Sequence, residues 1–462
     1  MYSRLSRFIP AGLKKPVKLC LSCIPQTWRY GSTYRKWRRF VKSAQYWPSD
    51  EIRQWQFSQL KAVVRHAYDK TRGYRELFRA HGVTPEDIRT LNDIRLLPFT
   101  TKELIRDNLK DFSVRSLTGV YEATGGSTGI PMGFYEPWYI GEIEDAFLFS
   151  AWSSVGWRLG ELSAVLRGSF VGSESEPWRY DPYSNELWLS SYYLTERTID
   201  AYVDAIQRFR PQVLQGYPSS INLLCDLLVE AGRVGDISFK LILLGSENVY
   251  DWILTKIDRV FPTAVPFAWY GQAERVIFAP WCKLKKKYHV WPFYGYTEII
   301  GLNGEEAEEG QEGELVGTSF HMRVTPFIRY RTMDMAVKGP DVCNSCDRSV
   351  QLLEQVTGRS HEVILTGTGR RISMTAINMH NDVFDNVRQF QFYQEKPGEV
   401  VLKVIPKESY NANDTTRIRN ELMEKLGEDT SLEIIFVNEI PRTSKGKFKF
   451  LDQKLSTTDM NR

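Results

Sequence analysis

From about Leu117 onward, short β-rich runs alternate with helical ones, and this alternation restricts the fold more than any other feature of the chain. Asp200 to Phe209 has helical spacing, Val213-Leu214-Gln215-Gly216-Tyr217 reads as a strand, and Ser219 to Glu230 is helical again. Phe239 to Leu244 is an apolar run, interrupted only by Lys240, that ends at Gly245 as a buried parallel strand does. Such alternation predicts α/β layers. A chain of 462 residues exceeds one ordinary core, so two or more domains are expected. After Gly313 the character changes. Glu314 to Ser319 and Phe327 to Tyr330 read as strands, and Gly358-Arg359 as a boundary. Beyond it, Val400 to Ile405 (strand), Thr415 to Leu426 (helix) and Leu432 to Val437 (strand) predict a small α+β domain. Upstream, the apolar spacing of Ile52, Trp55, Phe57, Leu60, Val63, Val64 and Ala67 predicts a helix over Asp50 to Gly82. Thr100 with Glu103 three residues later predicts a capping box. The expected organisation is an arm over 1–49, a large domain over 50–358 and a small one over 359–462.

The arm is distinguished by its charge. Met1 to Pro48 contains eleven Lys or Arg and no acid. Such a stretch suits contact with anionic lipid head groups, and equally a solvated arm wrapped on the body. The net charge of +4 gives no case for nucleic acid. No apolar stretch reaches the length of a membrane-spanning helix, and the N-terminus lacks a secretory signal pattern. The expectation is a cytoplasmic protein, with peripheral contact at the inner membrane face as the arm's alternative role. Six cysteines in a chain of this length do not make a disulfide scaffold.

Ala123-Thr124-Gly125-Gly126-Ser127-Thr128-Gly129-Ile130-Pro131 is the most informative local stretch. Glycines let the backbone turn its N–H groups toward phosphate, and the hydroxyls add donors. It is not a Walker-type loop, which needs Gly-Lys-Ser or Gly-Lys-Thr. The same composition also suits a simple hairpin.

The loop resembles the phosphate loop of the adenylate-forming superfamily, and further motifs follow in order. Tyr270-Gly271-Gln272-Ala273-Glu274 resembles Tyr-Gly-x-Thr-Glu, and Arg329-Tyr330-Arg331-Thr332-Met333-Asp334 resembles Arg-Tyr-Arg-Thr-Gly-Asp. Thr357-Gly358-Arg359 resembles the hinge Gly-Arg, and Pro441-Arg442-Thr443-Ser444-Lys445-Gly446-Lys447 resembles the C-terminal Pro-Arg-Thr-x-x-Gly-Lys. Arg65-His66-Ala67-Tyr68, Gly73-Tyr74-Arg75-Glu76-Leu77-Phe78 and Leu97-Pro98-Phe99-Thr100-Thr101-Lys102 are similar to the phenylacetate–CoA ligase branch. Glu274-Arg275-Val276 followed by Tyr294-Gly295-Tyr296-Thr297-Glu298 is similar to CapK-like capsular polysaccharide biosynthesis proteins. The resemblance implies a large α/β adenylate-forming domain with a β-rich subdomain, and a small mobile C-terminal α+β domain.

It also implies roles. Thr124, Gly125, Gly126, Ser127, Thr128 and Gly129 would wrap the ATP phosphates, with Gly245 and Ser246 also in the nucleotide site. Tyr270 would lie against adenine, and Asp334 would accept hydrogen bonds from the ribose hydroxyls. Arg359 would sit at the hinge near ribose and phosphate. Glu274 would hold Mg²⁺, a hard cation that prefers carboxylate oxygen. Lys447 would neutralise charge between the acyl carboxylate and the α-phosphate. Gly168 to Tyr193 and Leu243 to Ser246 are candidate walls of the acyl pocket. Departures from the family pattern are Ile130 for Lys, Ala273 for Thr, Met333 for Gly and Glu362 for Asp.

Cys343-Asn344-Ser345-Cys346 has the two-residue gap of half a zinc site. Cys282 and His289 are the expected partners, because relatives in this branch carry cysteine and histidine in similar places; Cys20 and Cys23 compete, and unmetallated cysteines are the remaining reading. His66 reads as a packing or capping residue.

The expected reaction is activation of a small carboxylic acid to acyl-AMP with release of pyrophosphate. The CapK-like resemblance favours acyl transfer to an amine or hydroxyl during capsule or exopolysaccharide assembly. A CoA thioester is the alternative, and a non-catalytic scaffold the second.

Overall fold

The computed structural model describes residues 10–116, 118–123, 132–168, 171–359, 363–373, 377, 382–384, 386–442 and 448–455. Among them a seven-stranded sheet forms the centre. Its spatial order is Trp178–Asp181, Glu186–Ser190, Ser163–Arg167, Val213–Gly216, Leu241–Leu244, Val265–Gly271 and Phe278–Pro280. The inner strands are parallel and the two outermost pair antiparallel. Parallel pairing requires crossovers, which the helices Ile199–Phe209, Pro218–Glu230 and Asp251–Val260 supply. The helix Pro218–Glu230 is buried on nearly every side, as its long apolar face demands.

The β-rich part is a five-stranded antiparallel sheet ordered Tyr288–His289, Leu352–Arg359, Tyr330–Lys338, Glu312–Ser319 and Gly295–Ile300. The C-terminal part has its own core, running from Ile364 to Leu451. There the helix Ala412–Leu426 accompanies a four-stranded sheet ordered Ser431–Phe436, Glu399–Pro406, Val387–Lys396 and Leu451–Gln453. Phe450 packs against both cores, with its ring 5.3 Å from that of Tyr250. Lys407 reaches back to Asp226 at 2.8 Å, and Arg388 to Glu230 at 3.2 Å.

Three local expectations need correction. The helix expected over Asp50 to Gly82 is two, Ser49–Lys70 and Arg72–Ala80. Thr71 is extended between them, and its hydroxyl accepts from Tyr74 N, so an N-cap interrupts an unbroken apolar period. The cap before Lys102–Asp107 is Thr101, which accepts from Leu104 N. Thr100 is instead buried and donates to the Ile328 carbonyl at 2.8 Å. Third, the strand read at Phe327 to Tyr330 begins only at Tyr330, because Arg329 takes φ +44° and breaks the extended run.

The basic arm is folded onto the body. Its helix Ser32–Ala44 buries Tyr34, Val41 and Ala44 and packs against Ile140–Ser154. Its N-terminus has no side-chain cap of its own. The Glu142 carboxylate takes that part, accepting from Gly31 N at 3.2 Å and Tyr34 N at 3.3 Å. A Cβ at Gly31 would lie 2.6 Å from that carboxylate, so a larger residue there would push the Glu142 side chain away from the cap. Arg35, Lys36, Arg39 and Lys42 face outward. No helix among the described residues is long and apolar enough to cross a membrane.

Candidate active site

In an open parallel sheet the carboxyl ends of the strands border a crevice where ligands bind. Gly245 and Ser246 follow Leu241–Leu244 at this edge, and Ser246 takes φ +71°. Gly245 is required there, since a Cβ would stand 2.6 Å from the Trp269 indole. The strand Val265–Gly271 delivers Tyr270, whose hydroxyl donates to Asp334 Oδ2 at 2.7 Å and accepts from Gln272 Nε2 at 2.5 Å. Burial and the Asp334 carboxylate raise the Tyr270 pKa well above its ordinary value, so the phenol stays protonated and holds that bond. Asp334 pairs in register with Arg359 across Tyr330–Lys338 and Leu352–Arg359. Glu274 Oε1 accepts from the Tyr330 hydroxyl at 2.9 Å. Three expected site residues from two motifs therefore converge beside one another, with the Arg359 backbone at their margin.

Thr124, Gly125, Gly126, Ser127, Thr128, Gly129 and Lys447 lie outside the described residues, as do Ile130 and Glu362. The residues flanking them are placed. Ala123 pairs with Gly133 in an antiparallel hairpin. On the small domain, Arg442 donates to Ser220 Oγ at 3.2 Å and Phe448 N donates to Glu247 Oε1 at 3.1 Å. Glu247 also accepts from Ser219 N at 3.0 Å through its other oxygen. Arg442 and Phe448, the described residues on either side of 443–447, thus rest at the carboxyl edge of the sheet, near Gly245 and Ser246.

The arginine of the long motif does something other than touch nucleotide. Arg329 is buried and forms a fork onto Glu298, at 2.8 and 3.1 Å, while donating to the Leu97 carbonyl at 2.6 Å. It lies over the Phe99 ring at 4.0 Å. One bidentate pair therefore ties the Leu97-Pro98-Phe99 stretch to the β-rich sheet. Met333 has φ +63°, which accounts physically for the glycine that the family pattern places there. Ala273 is exposed.

A second cluster lies at the edge of the β-rich sheet. Ligand atoms of Cys282, His289, Cys343 and Cys346 all fall within 4.8 Å of one another. Cys282 Sγ is 3.9 Å from Cys343 Sγ, and Cys346 Sγ is 3.5 Å from His289 Nε2. The sulfurs are too far apart for a disulfide. A tetrahedral zinc with bonds of about 2.0–2.3 Å spaces its ligand atoms roughly 3.3–3.8 Å apart, close to both distances. The rival pair Cys20 and Cys23 is exposed on the arm. His66 behaves as a packing residue, its Nε2 lying 2.8 Å from the Arg323 carbonyl oxygen.

Residues 364–454 match the CapK C-terminal domain family. The chain is 29% identical over 340 residues to a phenylacetate–coenzyme A ligase of Aromatoleum evansii, covering 68% of this chain and 72% of that protein. It is 25% identical over 397 residues to the protein CapK of Staphylococcus aureus, covering 82% of this chain and 84% of that protein. This protein is a homologue of the phenylacetate–CoA ligases and of CapK. Its fold is that of a 2-hydroxyisobutyryl-CoA ligase solved in the postadenylation state with an acyl-AMP. The two superpose with a TM-score of 0.69 at 17% identity, over 90% of this chain and 92% of that one.

Homology to these ligases puts the residues that sequence reasoning missed in a clearer light. Glu298 stands inside the quoted Tyr-Gly-Tyr-Thr-Glu stretch, but its arginine is 31 positions away and no spacing rule joins them. Tyr330 and Gln272 lie inside quoted motifs, and the only available signal was that adjacency. Glu247 directly follows the Gly245-Ser246 pair.

Proposed function

We propose that this protein activates a carboxylic acid with ATP to give acyl-AMP and pyrophosphate, and then passes the acyl group to coenzyme A. The observation that carries the reading is the convergence of Tyr270, Glu274 and Asp334 at the carboxyl edge of the sheet. In this reading Tyr270 lies against adenine, and its hydroxyl bond orients the Asp334 carboxylate toward the ribose diol. Thr124 to Gly129, with Gly245 and Ser246, receive the phosphates, and Arg359 borders the ribose. Glu274 is positioned by the Tyr330 hydroxyl to hold Mg²⁺, which when bound supplies charge neutralisation to the phosphates. The acid's carboxylate oxygen attacks the α-phosphorus, the bond to the bridging oxygen breaks and pyrophosphate leaves. Lys447 neutralises the charge that develops. The small domain then moves to open the thioester half-reaction, which requires contacts such as Lys407 with Asp226 to be exchanged.

Coenzyme A is preferred as acceptor over the amine or hydroxyl favoured by the sequence reading, because the ligase relatives named above act with it. The CapK C-terminal domain match supports a second reading, acyl transfer during polysaccharide assembly. We assign a structural zinc to Cys282, His289, Cys343 and Cys346, where it would pin the loop after Phe278–Pro280 to the end of the β-rich sheet.

Acid-dependent exchange of labelled pyrophosphate into ATP tests adenylation, and CoA-dependent product formation separates the two acceptors. Exchange should appear with one class of acid, and Lys447→Ala should lower it about 10²-fold or more with the fold intact. Exchange at the normal rate in that variant would remove Lys447 from the mechanism. No exchange with any acid, with ATP bound, would overturn the adenylating function.

A further inference from the structure

The carboxyl edge of the central sheet continues beyond the nucleotide residues. Taken in strand order from Trp269, it runs through Gly245, Tyr217, Arg167 and Ser190-Ser191. Leu166 pairs with Gly216, and Gly216 with Leu244, so Arg167, Tyr217 and Gly245 follow at equivalent places on neighbouring strands. Equivalent positions on adjacent strands are about 4.8 Å apart, which puts the Arg167 backbone roughly 9–10 Å from Gly245. That is the reach of a small acid whose carboxylate is activated beside Ser246.

Arg167 is unusual for a guanidinium so enclosed. Its Nε is buried with no hydrogen-bond partner, and among the described residues it has no ion pair. Its cationic group lies 6.0 Å from the centre of the Tyr217 ring, a weak contact for a charge removed from water. Glu186 acts on it only through space, and burial lowers the arginine's pKa while raising that of Glu186. Next to it, Ser191 N donates to the Arg167 carbonyl oxygen, and the Ser191 hydroxyl is itself buried without a partner. The buried Arg167 Nε and the buried Ser191 hydroxyl both lack acceptors, and such groups are costly to keep unless a ligand supplies them.

We propose that the acid activated by this protein carries a second anionic group, and that the Arg167 guanidinium and the Ser191 hydroxyl receive it. The substrate class is then a dicarboxylic acid or a phosphorylated hydroxy acid, not a purely apolar arylacetic acid. Arg167 makes a charge-assisted, two-pronged bond to the distal oxygens, and the reactive carboxylate lies toward Ser246. Tyr217 lines the span between them, and Trp269 flanks the reactive end. The assignment rests on the adenylating function proposed above for where the reactive end lies, whereas binding of the distal anion does not depend on catalysis.

The test uses the full chain with a series of four- to eight-carbon dicarboxylates, the matched monocarboxylates, phenylacetate, and phosphorylated hydroxy acids. Pyrophosphate exchange and calorimetric binding are read for each, in wild type, Arg167→Gln and Arg167→Lys. Exchange and binding are expected with a dianionic acid and not with its monoanionic counterpart. Arg167→Gln should lower kcat/KM for that acid by about 10²-fold or more, with ATP affinity unchanged and partial rescue by Arg167→Lys. Which arm responds, carboxylate or phosphate, names the distal group. Arg167-dependent binding without exchange would keep the anion subsite and remove the adenylating function. Efficient exchange with phenylacetate or other monoacids, unaffected by Arg167→Gln, would overturn the subsite and leave adenylation standing. Absence of Arg167-dependent binding by every dianion would also overturn it.

Discussion

Met333 shows how a single residue records the demands of the site. It holds φ +63° so that the chain can present Asp334 beside Tyr270, with Met333 N bonded to Glu314 Oε1 at 3.0 Å. A side chain in the left-handed region costs about 1–2 kcal/mol relative to glycine. Met333→Gly is therefore expected to raise stability by about 1 kcal/mol, offset in part by the added freedom of the unfolded chain. Denaturant unfolding would check this, and an unchanged or lower midpoint would count against strain at this position. Residue identity also explains what could be read in advance. Tyr270, Glu274 and Asp334 were legible because their motifs keep chemistry-bearing types at fixed short spacings. Arg167 and Glu247 carry no such pattern; strand register places Arg167 at the edge, and bonds to Ser219 N and Phe448 N place Glu247.

At the scale of elements, the helix Ile140–Ser154 joins the arm to the central sheet. Glu142 caps the arm's helix, and three residues further along Asp145 is enclosed near Tyr30, Glu142 and Glu186. Burial, then the Glu142 carboxylate, push the Asp145 pKa from 3.8 up to about 7. A carboxyl raised in this way takes up a proton on folding, so its stabilising contribution is complete below pH 3.8 and disappears as the pH rises through about 7. Asp145→Asn should accordingly flatten the fall in stability between about pH 4 and 7, leaving the variant more stable than wild type above that range. Thermal melts across that range would show it; parallel pH profiles would exclude Asp145 as the titrating group. Elements were also where sequence periodicity was least secure. Apolar spacing runs unbroken through Lys70, and the split there comes from Thr71 reaching the Tyr74 amide.

On the scale of the whole molecule, two cores meet at Phe450, and the Cys282–His289–Cys343–Cys346 cluster ties the central sheet's edge to the β-rich sheet. The zinc assigned there should be measurable at one equivalent by elemental analysis of the purified protein. Its removal by a chelator, or Cys343→Ser, should lower the midpoint of thermal unfolding by roughly 5–10 °C. Protein free of metal with an unchanged melt would leave three buried side chains and the half-buried Cys346 packed without a metal. The contacts that dock the small domain, Lys407 with Asp226 and Phe448 N with Glu247, join surfaces far apart in sequence. Neither pairing follows from periodicity or motif, since both depend on how two separately folded units come together.

The sequence by itself determined the alternating α/β layers, the ordered motifs and the Cys343–Cys346 pair. Local periodicity and short spacing encode these directly, because neighbours in the chain are constrained to neighbouring positions on one helix or strand; Cys282 and His289 were expected only from the family resemblance, and the fold brings them to the pair. Tertiary structure decided which motif residues gather at the crevice edge and which tie the scaffold together. Arg329 went to Glu298 and Phe99, whereas Tyr270 went to Asp334. It also decided that Arg167 stands at the crevice edge without an ion pair among the described residues. Those outcomes depend on strand order, register and burial, which bring together groups that no spacing along the chain relates.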